Sequence, residues 1–188
     1  IDWLELSYRQ FPPFTVGPFF IYGSHYTEAI PEELIPLQID AATAFGSGEH
    51  GTTSGCLLLL DQLKQDGFRP EAILDMGCGS GILSIAARRL WDAPVLAVDI
   101  DPESIRVTQN HARSNGVAID AIAGDGFAVI GSDYDLIIAN ILPLPLKAMA
   151  DDILKRTRSG GYIILSGMLL DQAGDVLKLY EEPGARLD

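Results

Sequence analysis

The fold is decided by the stretch Ile73-Leu-Asp-Met-Gly-Cys-Gly-Ser-Gly-Ile82. Two apolar residues lead into an acid, glycine then alternates with small residues, and a helical apolar pattern begins at Ile82. This order predicts a buried strand, a tight glycine loop and the start of a helix. Such a loop lets the backbone lie directly against a small cofactor at the N-terminus of the helix.

The spacing of the glycines separates two classes of cofactor site. Gly77, Gly79 and Gly81 give G-x-G-x-G, whereas the dinucleotide fingerprint has its third glycine where Ile82 stands. Asp75, two residues before the first glycine, is typical of S-adenosylmethionine sites rather than nicotinamide sites. An isolated glycine loop is also compatible with an ordinary tight turn. The residues that follow the neighbouring strands therefore have to show whether this loop binds a cofactor.

Strands and helices alternate from residue 52 onwards. Strands are predicted at 72–76, 95–98, 119–123, 134–139 and 162–165, and helices at 52–65, 80–90, 101–115, 145–156 and 170–180. The strands are nearly continuous apolar runs, as burial on both faces requires. The predicted fold class is therefore α/β, with a doubly wound, mostly parallel sheet.

Residues 1–36 differ in composition from the rest of the chain. They hold five of the eleven prolines and many of the aromatic residues. Short strands are predicted at Phe19–Tyr22 and Leu37–Asp40. We interpret residues 1–36 either as an ordered N-terminal segment that packs on a main domain of residues 37–188 or as the remnant of a linker.

Composition limits the classes of partner. The net charge of −13 disfavours a nucleic-acid-binding face, which needs concentrated Lys and Arg, but permits a basic protein partner; simple solubility is the alternative. Cys56 and Cys78 make neither a disulfide framework nor a metal-ligand spacing, so we expect no metal and a cytoplasmic location. No apolar run approaches the roughly 20 residues that span a bilayer, so no membrane partner is expected.

Polar residues follow the predicted strands, at the sheet edge where ligands of doubly wound folds bind. Asp99 stands where an acid can accept hydrogen bonds from both ribose hydroxyls of a nucleoside. Asp125 could accept a hydrogen bond from an adenine amino group, or it could form a turn. Asn140 directly follows the fourth strand, which favours a functional role over a turn. Asp101 is better explained as the N-cap of the next helix.

Residues 75–140 together resemble a class I S-adenosylmethionine-dependent methyltransferase. The upstream stretch Ala44-Phe-Gly-Ser-Gly-Glu-His-Gly-Thr-Thr-Ser-Gly-Cys56 is similar to the F-G-T-G-x-H-P-T-T signature of the ribosomal protein L11 methyltransferase family (PrmA). The family's D-x-G-C-G-S-G-I-L and N-I-L motifs have counterparts at 75–83 and 140–142. Ser47 and Gly51 depart from the usual Thr and Pro of the signature.

The resemblance implies a cofactor and a set of site residues. S-adenosyl-L-methionine is the expected cofactor, with contacts at Thr53, Gly77, Asp99 and Asn140. With the residues marked above, the expected cofactor-binding set is Thr53, Gly77, Gly79, Gly81, Asp99, Asp125 and Asn140. Asn140 and Phe45 are the expected catalytic residues, with Phe45 and the Gly46–Gly48 segment closing over the methyl group.

The resemblance also implies a substrate and a larger protein. Lysine side chains and the N-terminal amine of a large-subunit ribosomal protein are the expected methyl acceptors, and residues 37–188 are the expected catalytic domain. The family's separate substrate-recognition domain and its last sheet strands are missing from the sequence, so we expect a truncated chain. The alternatives are a methyltransferase acting on a nucleic-acid base or small molecule, and a cofactor-binding domain without catalysis.

Overall fold

The computed structural model describes residues 12–40, 50–124, 131, 133–181 and 183–186. Its first layer is a three-stranded sheet of β1 (Phe14–Val16), β2 (Phe19–Tyr22) and β3 (Ile35–Gln38). β1 pairs antiparallel with β2, which pairs in parallel with β3. β1 has no counterpart among the predicted strands, and β3 begins two residues before the predicted one.

Packing is continuous across the predicted boundary between residues 36 and 37. β3 contains both residues, so one strand crosses the boundary. Phe19 and Ile21 are fully buried in the same hydrophobic cluster as Leu57 and Ile73 of the main domain. The described part of residues 1–36 is thus an ordered layer on the main domain. The division at 36 and 37 stays a prediction, which this packing does not mark.

The main sheet has five parallel strands in the order β6-β5-β4-β7-β8. They are β4 (Ile73–Met76), β5 (Val95–Asp99), β6 (Asp120–Ala123), β7 (Tyr134–Asn140) and β8 (Thr157–Ser166). The strand order reverses beside β4, which lies at the centre and is buried along its whole length. The predicted fold class, a doubly wound, mostly parallel sheet, is confirmed.

Helices cover both faces of this sheet. They are α1 (His50–Gln65), α2 (Ile82–Leu90), α3 (Pro102–Ser114), α4 (Pro143–Ala148), α5 (Ala150–Arg156) and α6 (Leu170–Glu181). β4 alternates between the two cores: Ile73 packs with α1, α2 and the first sheet, whereas Leu74 packs with α4 to α6. None of the helices in the described ranges is long and apolar enough to cross a bilayer.

Local signals define the ends of α3 as predicted. The Asp101 carboxylate accepts a hydrogen bond from Glu103 N at 2.9 Å and caps the helix, with Pro102 in the first turn. Asn115 is the C-cap, and Gly116 follows with φ +64°, a left-handed conformation that glycine adopts at low cost.

Two predicted elements differ from the structure. The single helix predicted at 145–156 is two helices, because Met149 has φ −98° and ψ 2° and caps both α4 and α5. The strand predicted at 162–165 extends back to Thr157. Its pairing with β7 jumps from Tyr134↔Thr157 to Leu136↔Tyr162, so Gly160 and Gly161 lie in a bulge within one strand.

Candidate functional site

A cavity of about 600 Å³ opens at the carboxyl edge of the main sheet. Its walls are the loops that follow β4, β7 and β8, together with the first turn of α1. This is the position where ligands bind in doubly wound folds, beside the reversal of strand order. The volume lies within the range of small-molecule sites, which is about 300–1,000 Å³.

Asn140 presents an unpaired oxygen at this cavity. Its Nδ2 donates a hydrogen bond to Thr53 Oγ1 at 3.2 Å, and both residues line the cavity. Its Oδ1 is buried and has no hydrogen-bond partner within the described part of the chain. A buried amide oxygen without a donor is costly, so this atom is suited to accept a hydrogen bond from a bound molecule.

Two glycines of the loop after β4 differ in what surrounds them. Gly77 has φ +74°, and a Cβ at this position would collide with Cγ2 of Ile141, next to Asn140. Gly79 has φ +53°, and a Cβ there would meet no atom of the described residues within 4 Å. Gly77 therefore lets the loop pack against the end of β7, whereas the space beside Gly79 is open among the described residues. Both residues line the cavity.

The backbone N–H groups of this loop have partners within the chain. Gly77 N donates to Val98 O at 2.7 Å, and Gly81 N donates to Cys78 O at 2.8 Å. Gly79 N donates to Asp99 Oδ2 at 2.9 Å. The bonds of Gly77 and Gly79 hold the loop against β5, and the bond of Gly81 closes the loop on itself. The predicted contact between this loop and a cofactor stays a prediction.

Asp99 and Gly81 lie beside the cavity without lining it. The Asp99 carboxylate also accepts a hydrogen bond from Asp101 N at 3.0 Å, so each of its two oxygens accepts a hydrogen bond from a backbone N–H in this structure. A Cβ on Gly81 would lie 2.8 Å from Thr108 Cγ2, so this glycine lets α2 begin close to α3. Their predicted cofactor contacts stay predictions.

Asp75 lies under the glycine loop rather than in the cavity. It is about 1% exposed and accepts a hydrogen bond from Ser84 Oγ of α2 at 2.6 Å. Burial raises the pKa of its carboxyl to about 6; the Ser84 hydrogen bonds oppose this rise, and the Asp99 charge adds to it. Asp75 therefore ties β4 to α2 at a site that favours the neutral acid.

Replacing Asp75 with asparagine is expected to change how stability depends on pH. The folded-state pKa of about 6 is above the ordinary value of 3.8, so the wild-type carboxyl loses its contribution as pH rises towards and through 6. Relative to Asp75→Asn, the wild type should lose about 2 kcal/mol of unfolding free energy between pH 4 and pH 7. Denaturant unfolding across this range measures it, and parallel profiles for the two proteins would contradict it.

The charged side chains among the described residues that line the cavity are acidic. They are Asp101 and Glu103, and none of these described lining residues is a Lys or an Arg. Hydrogen bonds from Arg106 lower the pKa of Glu103, so this side chain is a poor proton acceptor near neutral pH. Burial raises the pKa of the Cys78 thiol to about 12, so Cys78 also lines the cavity without offering a thiolate nucleophile.

The loop after β8 supplies a wall that the sequence analysis missed. Gly167, Met168, Leu169 and Gln172 line the cavity. Gly167 has φ +84°, and a Cβ there would collide with the backbone of Ile141. A glycine directly after a predicted strand is the available signal, because the same reasoning identifies the loop after β4.

The structure brings together four of the predicted site residues, namely Thr53, Gly77, Gly79 and Asn140. Phe45, the Gly46–Gly48 segment and Asp125 lie outside the described residues.

A family model described as ribosomal protein L11 methyltransferase (PrmA) matches residues 1–187. The chain belongs to this family. A PrmA relative from Allorhizobium ampelinum, named ribosomal protein L11 methyltransferase, is 41% identical over 99% of this chain and 66% of its own length. One from Brucella suis with the same name is 43% identical over 98% of this chain and 66% of its own length. The chain thus spans about two thirds of the length of the curated PrmA relatives it matches.

Solved structures agree with the fold. A crystal structure of ribosomal protein L11 methylase from Lactobacillus delbrueckii subsp. bulgaricus aligns with a TM-score of 0.84 at 27% identity, covering 95% of this chain and 91% of that one. A precorrin-6y C5,15-methyltransferase from Geobacter metallireducens aligns with a TM-score of 0.66 at 18% identity, covering 81% and 82% of the two chains. The second likeness shows that the PrmA fold is shared with more distant proteins.

Proposed function

We propose that this chain contains the catalytic domain of an S-adenosylmethionine-dependent protein methyltransferase. Its substrates are amino groups of ribosomal protein L11, namely lysine side chains and the N-terminal amine. The observation that carries the proposal is the unpaired, buried Oδ1 of Asn140 at the cavity. The membership of the PrmA family and the names of its relatives support the choice of substrate.

The residues around the cavity fit S-adenosylmethionine. Open space at Gly79 lets a ligand approach the backbone, and the absence of Lys and Arg among the lining residues suits a ligand with a sulfonium and an ammonium charge. Thr52 and Thr53 lie in the first turn of α1, which carries no acidic side chain. The positive end of the helix dipole therefore suits the carboxylate of the cofactor.

Asp99, Asp125 and Phe45 complete the proposed site. Asp99 accepts hydrogen bonds from the ribose hydroxyls, and Asp125 accepts one from the adenine amino group. Binding through Asp99 requires its carboxylate to share or exchange the bonds from Gly79 N and Asp101 N. Phe45 and the Gly46–Gly48 segment close the site and exclude water.

Asn140 orients the substrate amine. When bound, S-adenosylmethionine supplies a methyl group on a positively charged sulfur. The chain's task is to hold a neutral amine in line with that methyl group and to exclude water. The Oδ1 of Asn140 accepts an N–H of the amine and directs its lone pair, while the bond from Asn140 Nδ2 to Thr53 holds the amide in this orientation.

The amine must lose its proton before it can react. A lysine amine has an ordinary pKa near 10.4 and is almost fully protonated at neutral pH. Glu103, whose pKa is lowered by Arg106, and Asp101, which caps α3, are poorly suited to take this proton. We therefore assign the proton to solvent before the site closes, and Asn140 then holds the free amine by accepting one of its N–H groups.

The partner and the location follow from the proposed substrate. Ribosomal protein L11 is the partner, and its complex with this acidic chain is favoured by charge if the substrate protein is basic. The place of action is the cytoplasm, and no direct nucleic-acid contact is proposed.

A transfer assay with labelled methyl groups tests the proposed function. The purified protein is incubated with S-adenosylmethionine and either ribosomal protein L11, ribosomal RNA or buffer, and its affinity for the cofactor is measured by calorimetry. We expect label only on the protein substrate. Label on the RNA would indicate a nucleic-acid methyltransferase, and cofactor binding without transfer to any substrate would indicate a domain without catalysis. Either result would overturn the proposal.

A further inference from the structure

Helix α3 holds the backbone that leads out of β3. Asn115 Oδ1 accepts a hydrogen bond from Gln38 N at 2.9 Å, and Asn115 Nδ2 donates to Gln38 O at 2.8 Å. One side chain thus pairs both polar groups of one residue, as a neighbouring strand would. Asn115 is about 6% exposed, so this pairing lies in the interior.

His111, one helical turn before Asn115, makes two further bonds. Its Nε2 accepts a hydrogen bond from Asp40 N at 3.2 Å, and its Nδ1 lies 2.8 Å from Ser80 O. A backbone N–H can only donate, so Nε2 carries no proton. Ser80 O can only accept, so Nδ1 carries the proton and donates. The neutral imidazole, about 7% exposed, bridges two segments that are far apart in sequence.

The two bridged segments both belong to the proposed site. Ser80 is part of the glycine loop and lines the cavity. Asp40 is followed in the sequence by the stretch that carries the PrmA signature, Ala44 to Cys56, which includes Phe45 and Thr53. One imidazole thus holds the backbone at Asp40, the last residue of the described range 12–40, relative to the glycine loop.

We infer that His111 is a positioning residue that couples the glycine loop to the backbone at Asp40, which precedes the signature stretch in the sequence, and thereby raises the affinity for the cofactor. The coupling itself needs no ligand, whereas its effect on affinity rests on the proposed function. A buried histidine that merely fills space would act through the overall stability of the fold. The coupling instead predicts that each ring nitrogen has a separate, local effect.

Two substitutions separate the ring nitrogens. In His111→Asn the amide stands near the position of Nδ1, so it can still donate to Ser80 O but cannot reach Asp40 N. In His111→Gln the amide stands near the position of Nε2, so it can still accept from Asp40 N but loses Ser80 O. Gln109→Ala, an exposed change on the same helix, is the control.

Amide hydrogen exchange on the ligand-free protein tests the coupling. We expect the Asp40 amide to exchange about tenfold faster in His111→Asn, the effect of one lost buried hydrogen bond, and to keep its protection in His111→Gln. His111→Ala should speed exchange at Asp40 and at the amides of Gly79 and Gly81. If His111→Ala speeds amide exchange in only one of the two segments, the coupling is overturned. It is also overturned if all amides of the protein exchange faster to the same extent, as they would if the whole fold were loosened.

Calorimetry with S-adenosylmethionine tests the effect on affinity. We expect His111→Asn and His111→Gln each to bind at least about fivefold more weakly than the wild type and the Gln109→Ala control, since each loses one bond of the bridge. Wild-type affinity in both variants would overturn the inference. If the wild type itself does not bind, the proposed function and the effect on affinity both fail, while the exchange result still decides the coupling.

Discussion

Replacing Asn140 with alanine is expected to reduce the rate of methyl transfer by at least about 100-fold, because the substrate amine loses the group that orients it. The affinity for S-adenosylmethionine should fall much less, since Thr53, Gly77 and Gly79 still line the cavity. The rate is measured in single-turnover reactions with ribosomal protein L11, and the affinity by calorimetry.

A second asparagine serves as the matched control. Asn110 on α3 is half-buried and accepts a hydrogen bond from Arg113, but it does not line the cavity. Asn110→Ala should transfer methyl groups at nearly the wild-type rate. Equal rates for Asn140→Ala and Asn110→Ala would remove Asn140 from the reaction, and a proportional loss of rate and cofactor affinity would reduce its role to binding.

Replacing Gly77 with alanine is expected to give the largest loss of stability among changes in the glycine loop. The left-handed φ of +74° disfavours alanine, and the added methyl group collides with Ile141. The two effects together should lower the free energy of unfolding by about 2–5 kcal/mol. Since Ile141 follows Asn140 in the chain, the collision should also displace the Asn140 amide and slow methyl transfer.

Gly116→Ala separates the two causes. Gly116 has a similar φ of +64°, but a Cβ there would meet no atom within 4 Å in the part of the chain that the structure describes. This variant should lose only the conformational cost, about 1–2 kcal/mol, and keep its methyl-transfer rate. Denaturant unfolding of both variants measures the difference. If Gly77→Ala is no less stable than Gly116→Ala, the collision with Ile141 does not constrain the loop.

The sequence predicts the parts of this fold that depend on neighbouring residues. The apolar run before Gly77 predicts β4, and Asp101 with Pro102 predicts the start of α3, because burial and capping act over a few residues. Asn140 could be placed at the cavity because parallel strands end at the same edge of a sheet. The residues at the carboxyl edge are therefore predictable from where each parallel strand ends in the sequence.

The contacts between distant segments could not be predicted in this way. Asp40 and His111 are 71 residues apart, and Gln38 and Asn115 are 77 apart. Nothing in the local pattern of α3 indicates which face meets the end of β3. Gly81 is expected to contact the cofactor, and in the structure its φ of +79° and its closeness to Thr108 show a packing role that the local sequence does not reveal. A glycine motif alone does not separate these two roles.

The mass of ribosomal protein L11 before and after incubation with the protein and S-adenosylmethionine tests the central claim most directly. We expect mass increases of whole methyl groups, which peptide mapping places on lysine side chains or the N-terminal amine. The increases should be absent when Asn140→Ala replaces the wild type under the same conditions. Unmodified substrate with the wild-type protein, or methylation that Asn140→Ala leaves undiminished, would contradict the proposed function.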